Sequence, residues 1–439
     1  MIAAARSRNV FYGWIVVGVA FVTLLVASGV RSAPAVLMLP LKEEFGWDVA
    51  TVAVAMSINL LLFGLAGPFA AALMDRWGMR VVVPGAMLVI ASAALLSVFM
   101  RQPWQLDLLW GVVSGLGVGS LSTVLAATIA ARWFVQRRGL VMGICSAASG
   151  SGQLLAVPLL AATSATVGWR GLCVGIAIVA AATAPLGAVL LRNRPEDLGL
   201  LPYGASAPLP PTVGQRRNPF VAAISTLKSV AGERGFQVLV LSFTLCGATS
   251  TGILGAHLIP TGVDHGLTQV QAANLLGIVG VIGLVATFIS GWLTDRFDPR
   301  MLLAGYYLSR SLALWVLPFS FGVEWKLALA IAIHGFDWVA TLPPTAALAT
   351  SLYGREKGPA VVGWVFVGHQ IGAATSAYVV GLSRVALGSY DMAFLIAGIA
   401  SIAAAALALM VPHVAGTPET PRPLLIDAPL VRPAVVNRR

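Results

Sequence analysis

Only a few ionisable side chains stand inside the long apolar stretches of this chain, and they are the residues best suited to bind or move charge. His334 and Asp337 are three positions apart, which places both on one face of a helix, and Trp338 follows directly. A charge left unpaired deep in a bilayer is costly, so these residues predict a binding or proton-transfer site. The alternative is structural, with Asp337 forming an ion pair with Arg310 of the preceding apolar stretch.

Arg31 is the strongest single candidate for binding an anion, because no acidic residue of its own apolar stretch neutralises it. The alternative is that its guanidinium reaches the outer lipid headgroups. His369 and Gln370 can donate hydrogen bonds to carboxylate oxygens, and we expect the coupled proton on His369 or on the carboxyl group described above. Asn59 and Gln153 are lesser candidates for substrate contact. Hydrogen bonding between helices is the structural alternative for these last four residues.

The elements that must position these residues are membrane-spanning helices. Hydrophobic residues make up 58% of the chain and charged residues 10%, with a mean hydropathy of +0.87. Such a composition is far more apolar than that of a soluble domain. A helix needs about 20 apolar residues to cross a bilayer. Twelve stretches meet this requirement: 12–34, 49–70, 81–100, 104–131, 139–163, 168–191, 236–262, 269–292, 300–321, 325–350, 358–383 and 390–411.

The net charge of +11 is not evenly shared between the two sides of the membrane. If the stretches alternate in direction, most of the 28 lysines and arginines fall on one side. Five fall on the opposite side, namely Lys42, Arg101, Arg170, Lys326 and Arg384, and Arg31 and Arg310 lie within apolar stretches. This bias predicts a multi-pass protein of the cytoplasmic (inner) membrane with both termini in the cytoplasm. It also explains the basicity without a nucleic-acid partner.

Composition divides the chain into a six-helix bundle over 1–191, a proline-rich cytoplasmic linker over 192–235, a second six-helix bundle over 236–411 and a cytoplasmic tail over 412–439. The first apolar stretch is too long for a secretory signal, so we interpret it as an uncleaved span. The three cysteines lie within apolar stretches and predict neither a disulfide framework nor a metal site. We interpret them as packing residues.

The turn Asp75-Arg76-Trp77-Gly78-Met79-Arg80 returns about 220 positions later as Asp295-Arg296-Phe297-Asp298-Pro299-Arg300. A same-orientation repeat in a hydrophobic chain is typical of transporters. The turn resembles the loop signature of the major facilitator superfamily, with Ala71 and Asp298 where glycines are usual. The resemblance implies an all-α membrane protein in which twelve transmembrane helices form two six-helix bundles that rock around a central site.

The repeated turns have a physical role to play in such a fold. Asp75 can accept hydrogen bonds from a neighbouring helix N-terminus, and Asp295, the corresponding residue of the second turn, can do the same. Arg76, Arg80 and Arg296 can tie the loops to carboxylates or lipid phosphates. We therefore expect these five residues to latch the cytoplasmic side closed. The alternative is that the arginines only set the topology.

Three strings are similar to those of bacterial monocarboxylate and oxalate–formate carriers: 12–14, 40–47 and 194–200. Thr287 and Tyr12 stand where such carriers often have an arginine and an acidic residue. The resemblance and the excess of deep basic groups imply a monomeric, proton-coupled secondary transporter of a small organic anion, a monocarboxylate or a related carboxylate, without a cofactor. Its expected partners are substrate, protons and membrane lipids. Export of an amphipathic metabolite or drug is the alternative, ahead of a membrane-embedded enzyme or a sensor.

Overall fold

The computed structural model describes residues 11–47, 49–207 and 218–413. Within these ranges the chain is almost wholly helical, and its one extended feature is an isolated bridge between Phe134 and Tyr203. The all-α fold predicted from the sequence is confirmed.

The N-terminal half contains six long helices. Helix α1 ends at Arg31, and the chain continues after a one-residue break in a further helix, Ala33–Phe45. Gly168 interrupts the long segment Arg138–Leu190 at φ 73° and divides it into α5 and α6. The bounds are α1 (Tyr12–Arg31), α2 (Val49–Trp77), α3 (Met79–Leu96), α4 (Pro103–Trp133), α5 (138–167) and α6 (169–190).

The C-terminal half repeats this pattern after a connecting segment that contains the helix Pro219–Val230, which we call the linker helix. Gly354, at φ 74°, separates α10 from α11 just as Gly168 separates α5 from α6. The bounds are α7 (Arg234–Asp264), α8 (Gln269–Thr294), α9 (Pro299–Val316), α10 (Glu324–Asp337 and 342–353), α11 (355–387) and α12 (Asp391–Met410).

Ten continuous helical stretches of the described chain are long and apolar enough to cross a membrane. One of them, Glu324–Arg384, has 61 residues and would be about 90 Å long, three times the thickness of a bilayer core. It therefore holds two crossings, α10 and α11. Helix α5 supplies the remaining one, so the helices together make twelve.

The two halves meet closely at one end of the molecule. This end carries the turns 75–80, 132–138, 192–196, 295–300 and 354–357, and we call it the basic end. Glycines allow the backbones to touch there: a Cβ on Gly143 of α5 would lie 2.7 Å from the Thr287 carbonyl oxygen of α8. A Cβ on Gly363 of α11 would lie 2.7 Å from the backbone nitrogen of Pro68 in α2. The basic end is therefore closed by direct helix contact.

Candidate functional site

Arg31 points toward the seam between the two halves. It stands in the last turn of α1, and its guanidinium carbon lies 4.2 Å from the centroid of the Phe63 ring on α2. Phe63 in turn meets Phe366 of α11 edge to face, with the ring centroids 5.4 Å apart. The guanidinium thus lies against a ring that bridges both halves. No carboxylate oxygen of the described residues lies within 4.0 Å of it.

His369 and Gln370 continue this arrangement on α11. The His369 ring lies almost parallel to that of Phe366, with the centroids 5.6 Å apart, and its Nδ1 is 3.0 Å from Oε1 of Gln370. The other amide atom of Gln370, Nε2, is buried and has no hydrogen-bond partner among the described residues. We call Arg31, Phe63, Phe366, His369 and Gln370 the central cluster.

Arg310 and Asp337 form an ion pair within the C-terminal half. Both side chains are completely buried, and Arg310 Nε lies 3.1 Å and 3.2 Å from the two carboxylate oxygens. Arg310 also donates to the Asp337 carbonyl oxygen, to the Cys246 carbonyl oxygen and to Thr249 Oγ1. A buried charge is tolerated when its partner and its remaining donors are satisfied. This pair meets both conditions and links α9, α10 and α7.

Cys246 makes polar contacts, although the sequence indicated only a packing role. Its sulfur lies 3.2 Å from an Arg310 nitrogen and 3.5 Å from Thr341 Oγ1. The next residue, Gly247, packs directly against the backbone of His369. Helix α7 therefore touches both the ion pair and the central cluster.

His334 and Asp337 share a helix but have no hydrogen bond with each other in the described structure. The His334 ring is 2% exposed, and neither ring nitrogen has a partner among the described residues. Its neighbour is Trp338, with the ring centroids 5.9 Å apart. Trp338 packs against Gly255 of α7. The predicted segment of α10 is thus divided between an ion pair and an unpartnered histidine.

Asn59 and Gln153 have separate outcomes. The Asn59 amide donates to the Trp110 carbonyl oxygen at 2.7 Å, which joins α2 to α4. This contact corresponds to the structural alternative for Asn59. The side chain of Gln153 lies outside the described residues.

The sequence reasoning did not single out Phe63 and Phe366. A phenylalanine in an apolar stretch carries no local signal that separates a residue lining a binding site from one that packs between helices.

The two repeated aspartates have different partners at the basic end. Asp75 pairs with Arg132 inside the N-terminal half. Asp295 accepts hydrogen bonds from the backbone N–H groups of Gly139 and Leu140, at 2.7 Å and 2.9 Å, and so binds the N-terminus of α5 in the other half. A carboxylate at a helix N-terminus is favoured by the helix dipole and by the free amides.

Two of the arginines predicted to act in these turns contact residues of their own half. Arg80 donates to the Ala188 carbonyl oxygen at 2.7 Å, and the Arg296 guanidinium lies 3.8 Å from the centroid of the Trp292 ring. Arg76 is exposed at the end of α2. An unpredicted residue, Arg355, donates to the Ala131 carbonyl oxygen at 2.5 Å and thereby joins the two halves at the same end.

Comparison with known proteins identifies the fold. The family model described as Major Facilitator Superfamily matches residues 19–377 and 244–435. The chain is 25% identical over 385 residues to the uncharacterized MFS-type transporter YcxA of Bacillus subtilis, covering 84% of this chain and 88% of that protein. It is 27% identical over 399 residues to human monocarboxylate transporter 11, covering 88% and 80%. It is 26% identical over 425 residues to rat monocarboxylate transporter 13, covering 95% and 94%.

Solved structures agree at the level of the fold. The proton:xylose symporter XylE bound to 6-bromo-6-deoxy-D-glucose superimposes with a TM-score of 0.69 at 14% identity, covering 91% of this chain and 96% of XylE. FucP in the outward conformation superimposes with a TM-score of 0.70 at 15% identity, covering 92% and 100%. Among the described residues, no group of histidine, cysteine and acidic side chains could hold a metal ion.

Proposed function

Because the chain belongs to the major facilitator superfamily and is a transporter of that family, we propose that its substrate is a small organic anion, a monocarboxylate or a related carboxylate, and that protons drive the transport. It works as a monomer in the cytoplasmic membrane, with the basic end facing the cytoplasm. The relatives named as monocarboxylate transporters support this choice of substrate class.

The contrast between the two deep arginines carries the proposal. Arg310 is neutralised by Asp337 and surrounded by acceptors, so it has no charge to offer a ligand. Arg31 rests on an aromatic face and has no carboxylate partner among the described residues. A substrate carboxylate would supply the missing partner through a charge-assisted hydrogen bond.

The rest of the central cluster suits the other parts of such a substrate. Gln370 Nε2 is a buried donor without a partner among the described residues and can donate to the second carboxylate oxygen. The rings of Phe63 and Phe366 offer an apolar surface to the hydrocarbon portion. The cluster draws on α1, α2 and α11, so a bound substrate would contact both halves, as alternating access requires.

Proton coupling fits His369 better than Asp337. Protonation of His369 would add a second positive charge beside the anion site and would favour carboxylate binding. Asp337 is held by Arg310 and is fully buried, so it could accept a proton only by breaking the ion pair. His369 is therefore the proposed proton carrier, and its loss should remove the pH dependence of substrate binding.

The test is an uptake assay with purified protein in proteoliposomes. A panel of radiolabelled monocarboxylates is compared with neutral sugars and organic cations, with and without an imposed pH gradient, acidic outside. We expect accumulation of at least one carboxylate that collapses with a protonophore. The His369→Gln protein should bind that substrate with an affinity that no longer rises as the pH falls. Accumulation of sugars or cations instead, with no carboxylate transported, would contradict the anion assignment.

A further inference from the structure

The linker helix, Pro219–Val230, has two opposite faces. Pro219, Ala223 and Val230 are buried against the protein. On the other face, Phe220, Val221 and Ile224 are 62%, 48% and 38% exposed. Lys228 continues the same stripe and is also exposed. An apolar stripe that ends in a basic residue is the pattern of a helix that lies in a membrane interface.

Contacts of the linker helix with neighbouring helices fix its level along the bundle. The Phe220 ring lies 5.4 Å from that of Phe69, which stands roughly 12 Å from the Trp77 end of α2 at about 1.5 Å per residue. At the other end of the linker helix, Lys357 at the start of α11 donates to Ser229 at 3.5 Å. The exposed phenylalanine is thus set back from the ends of the spanning helices.

The linker helix also touches both halves of the transporter. Phe220 packs on α2, while the Ala223 carbonyl oxygen accepts a hydrogen bond of 3.1 Å from Trp364 Nε1 of α11. Helices α2 and α11 are the pair whose backbones meet at Gly363 and Pro68. These two helices cannot part at the basic end unless the linker helix leaves one of them.

We propose that the linker helix is docked in the membrane leaflet at the basic end, through Phe220, Val221 and Ile224, and that it clasps α2 to α11. The lipid chains and headgroups of that leaflet are its partner. Lipid is the occupant because the stripe flanks two membrane-spanning helices below their ends, and because the exposed Lys228, one residue before the contact of Ser229 with the start of α11, is placed to bind headgroup phosphates. Docking keeps the linker helix in contact with both α2 and α11 and thereby favours closure of the basic end.

The docking is tested by spin labels at single cysteines in lipid nanodiscs. The three native cysteines are buried, which shields them from the labelling reagent. Labels at Val221→Cys and Ile224→Cys should collide more often with oxygen than with a water-soluble nickel chelate, and a label at Lys228→Cys should show the reverse. If all three labels favour the nickel chelate, the helix is in water and the proposal is wrong. Strong label–label coupling between molecules would instead indicate a second copy on the stripe and would also overturn it.

The clasp is tested by pulsed spin-label distances between Trp77→Cys and Glu356→Cys, at the ends of α2 and α11. Phe220→Ser should raise the population with the longer distance by about threefold or more. Phe297→Ser, an exposed phenylalanine of the basic end outside the linker helix, is the matched control and should change nothing. Phe220→Leu retains the apolar contact and should behave like the parent. Equal distances in all variants would contradict the clasp. No substrate is used, so the result is independent of the proposed anion transport.

Discussion

At the scale of single residues, the informative comparison is between two arginines that look equivalent in the sequence. Both stand in apolar stretches, yet Arg310 is completely buried with its carboxylate partner and Arg31 lies against Phe63 at the seam. We therefore assign a structural role to Arg310 and propose a ligand-binding role for Arg31. Two substitutions separate these roles.

Arg31→Gln keeps a polar side chain and removes the charge. We expect substrate affinity to fall by roughly tenfold to a hundredfold, since a lost charge-assisted hydrogen bond costs about 1.5–3 kcal/mol. Binding to purified protein is measured by calorimetry. Arg31→Lys keeps the charge and should lose less, and Arg101→Gln, an exposed arginine outside the site, should lose nothing. Parent-like affinity in Arg31→Gln would remove the main support for an anion substrate.

Asp337→Asn leaves Arg310 buried without its counter-charge. Breaking a buried ion pair from one side destabilises a protein by about 3–5 kcal/mol, so the thermal midpoint and the yield of folded protein should drop. The double variant Arg310→Met with Asp337→Leu removes both charges and should recover most of the loss. Thermal unfolding in detergent measures both. A double variant as unstable as the single one would contradict the view that the loss of stability comes from the unpaired charge of Arg310.

At the scale of elements, the two repeated turns share their aspartate and two arginines, but their aspartates have different contacts. Asp75 binds Arg132 in its own half, whereas Asp295 binds the first turn of α5 across the seam. The sequence repeat therefore predicted the same role for both aspartates. Only the three-dimensional packing of α8 against α5 distinguishes them. Their substitution should have unequal effects.

Asp295→Ala removes both acceptors from the α5 N-terminus and should weaken closure of the basic end. Transport should slow, while Asp75→Ala should have a smaller effect because its bond lies within one half. Asp298→Ala is the control, since Asp298 pairs with Arg300 of its own turn. Uptake rates and accessibility of basic-end cysteines to a water-soluble maleimide measure the change. Equal rates in the Asp295 and Asp298 variants would leave the turn with a topological role only.

Glu44 ties the helix Ala33–Phe45 to α6 at the opposite end. Hydrogen bonds from Arg170, at 2.6 Å and 2.8 Å, and from Trp169, at 2.7 Å, hold the pKa of Glu44 below its usual value. A lowered pKa stabilises the fold above the ordinary glutamate range and loses this effect as the pH falls. Glu44→Gln should therefore lower the thermal midpoint at pH 7 and match the parent near pH 3. A constant difference at both pH values would contradict the assignment.

At the scale of the whole molecule, the sequence predicted the fold class, whereas the roles of the candidate site residues stay predictions. Apolar length is a global signal, so the twelve helices could be anticipated, and the repeated turn that begins at Asp75 and again at Asp295 carried the resemblance to the family. The ion pair of Arg310 with Asp337 could be proposed because it follows from helix order. The contact of Arg31 with Phe63, which in turn meets Phe366, could not be proposed, because it depends on how α1, α2 and α11 converge across the seam.

The orientation of the whole molecule remains a prediction with a direct test. Reporter tags at residue 210 and at the C-terminus, both outside the described residues, should report from the cytoplasm because the basic residues cluster on that side. A tag in the loop after α3, near Arg101, is the matched control and should report from outside. A periplasmic signal from either of the first two tags would overturn the proposed orientation.

The buried pair of Arg310 and Asp337 also constrains how the protein is made. The candidate span that contains α9, Pro299–Phe319, has a mean hydropathy of 1.2, the lowest among the ten candidate spans of the described chain. Its arginine leaves the ribosome 27 residues before the aspartate. Alone in lipid, α9 would expose an unpaired charge. We therefore expect α9 to stay beside the translocon until α10 has been synthesised. The two helices then enter the bilayer together as one hairpin.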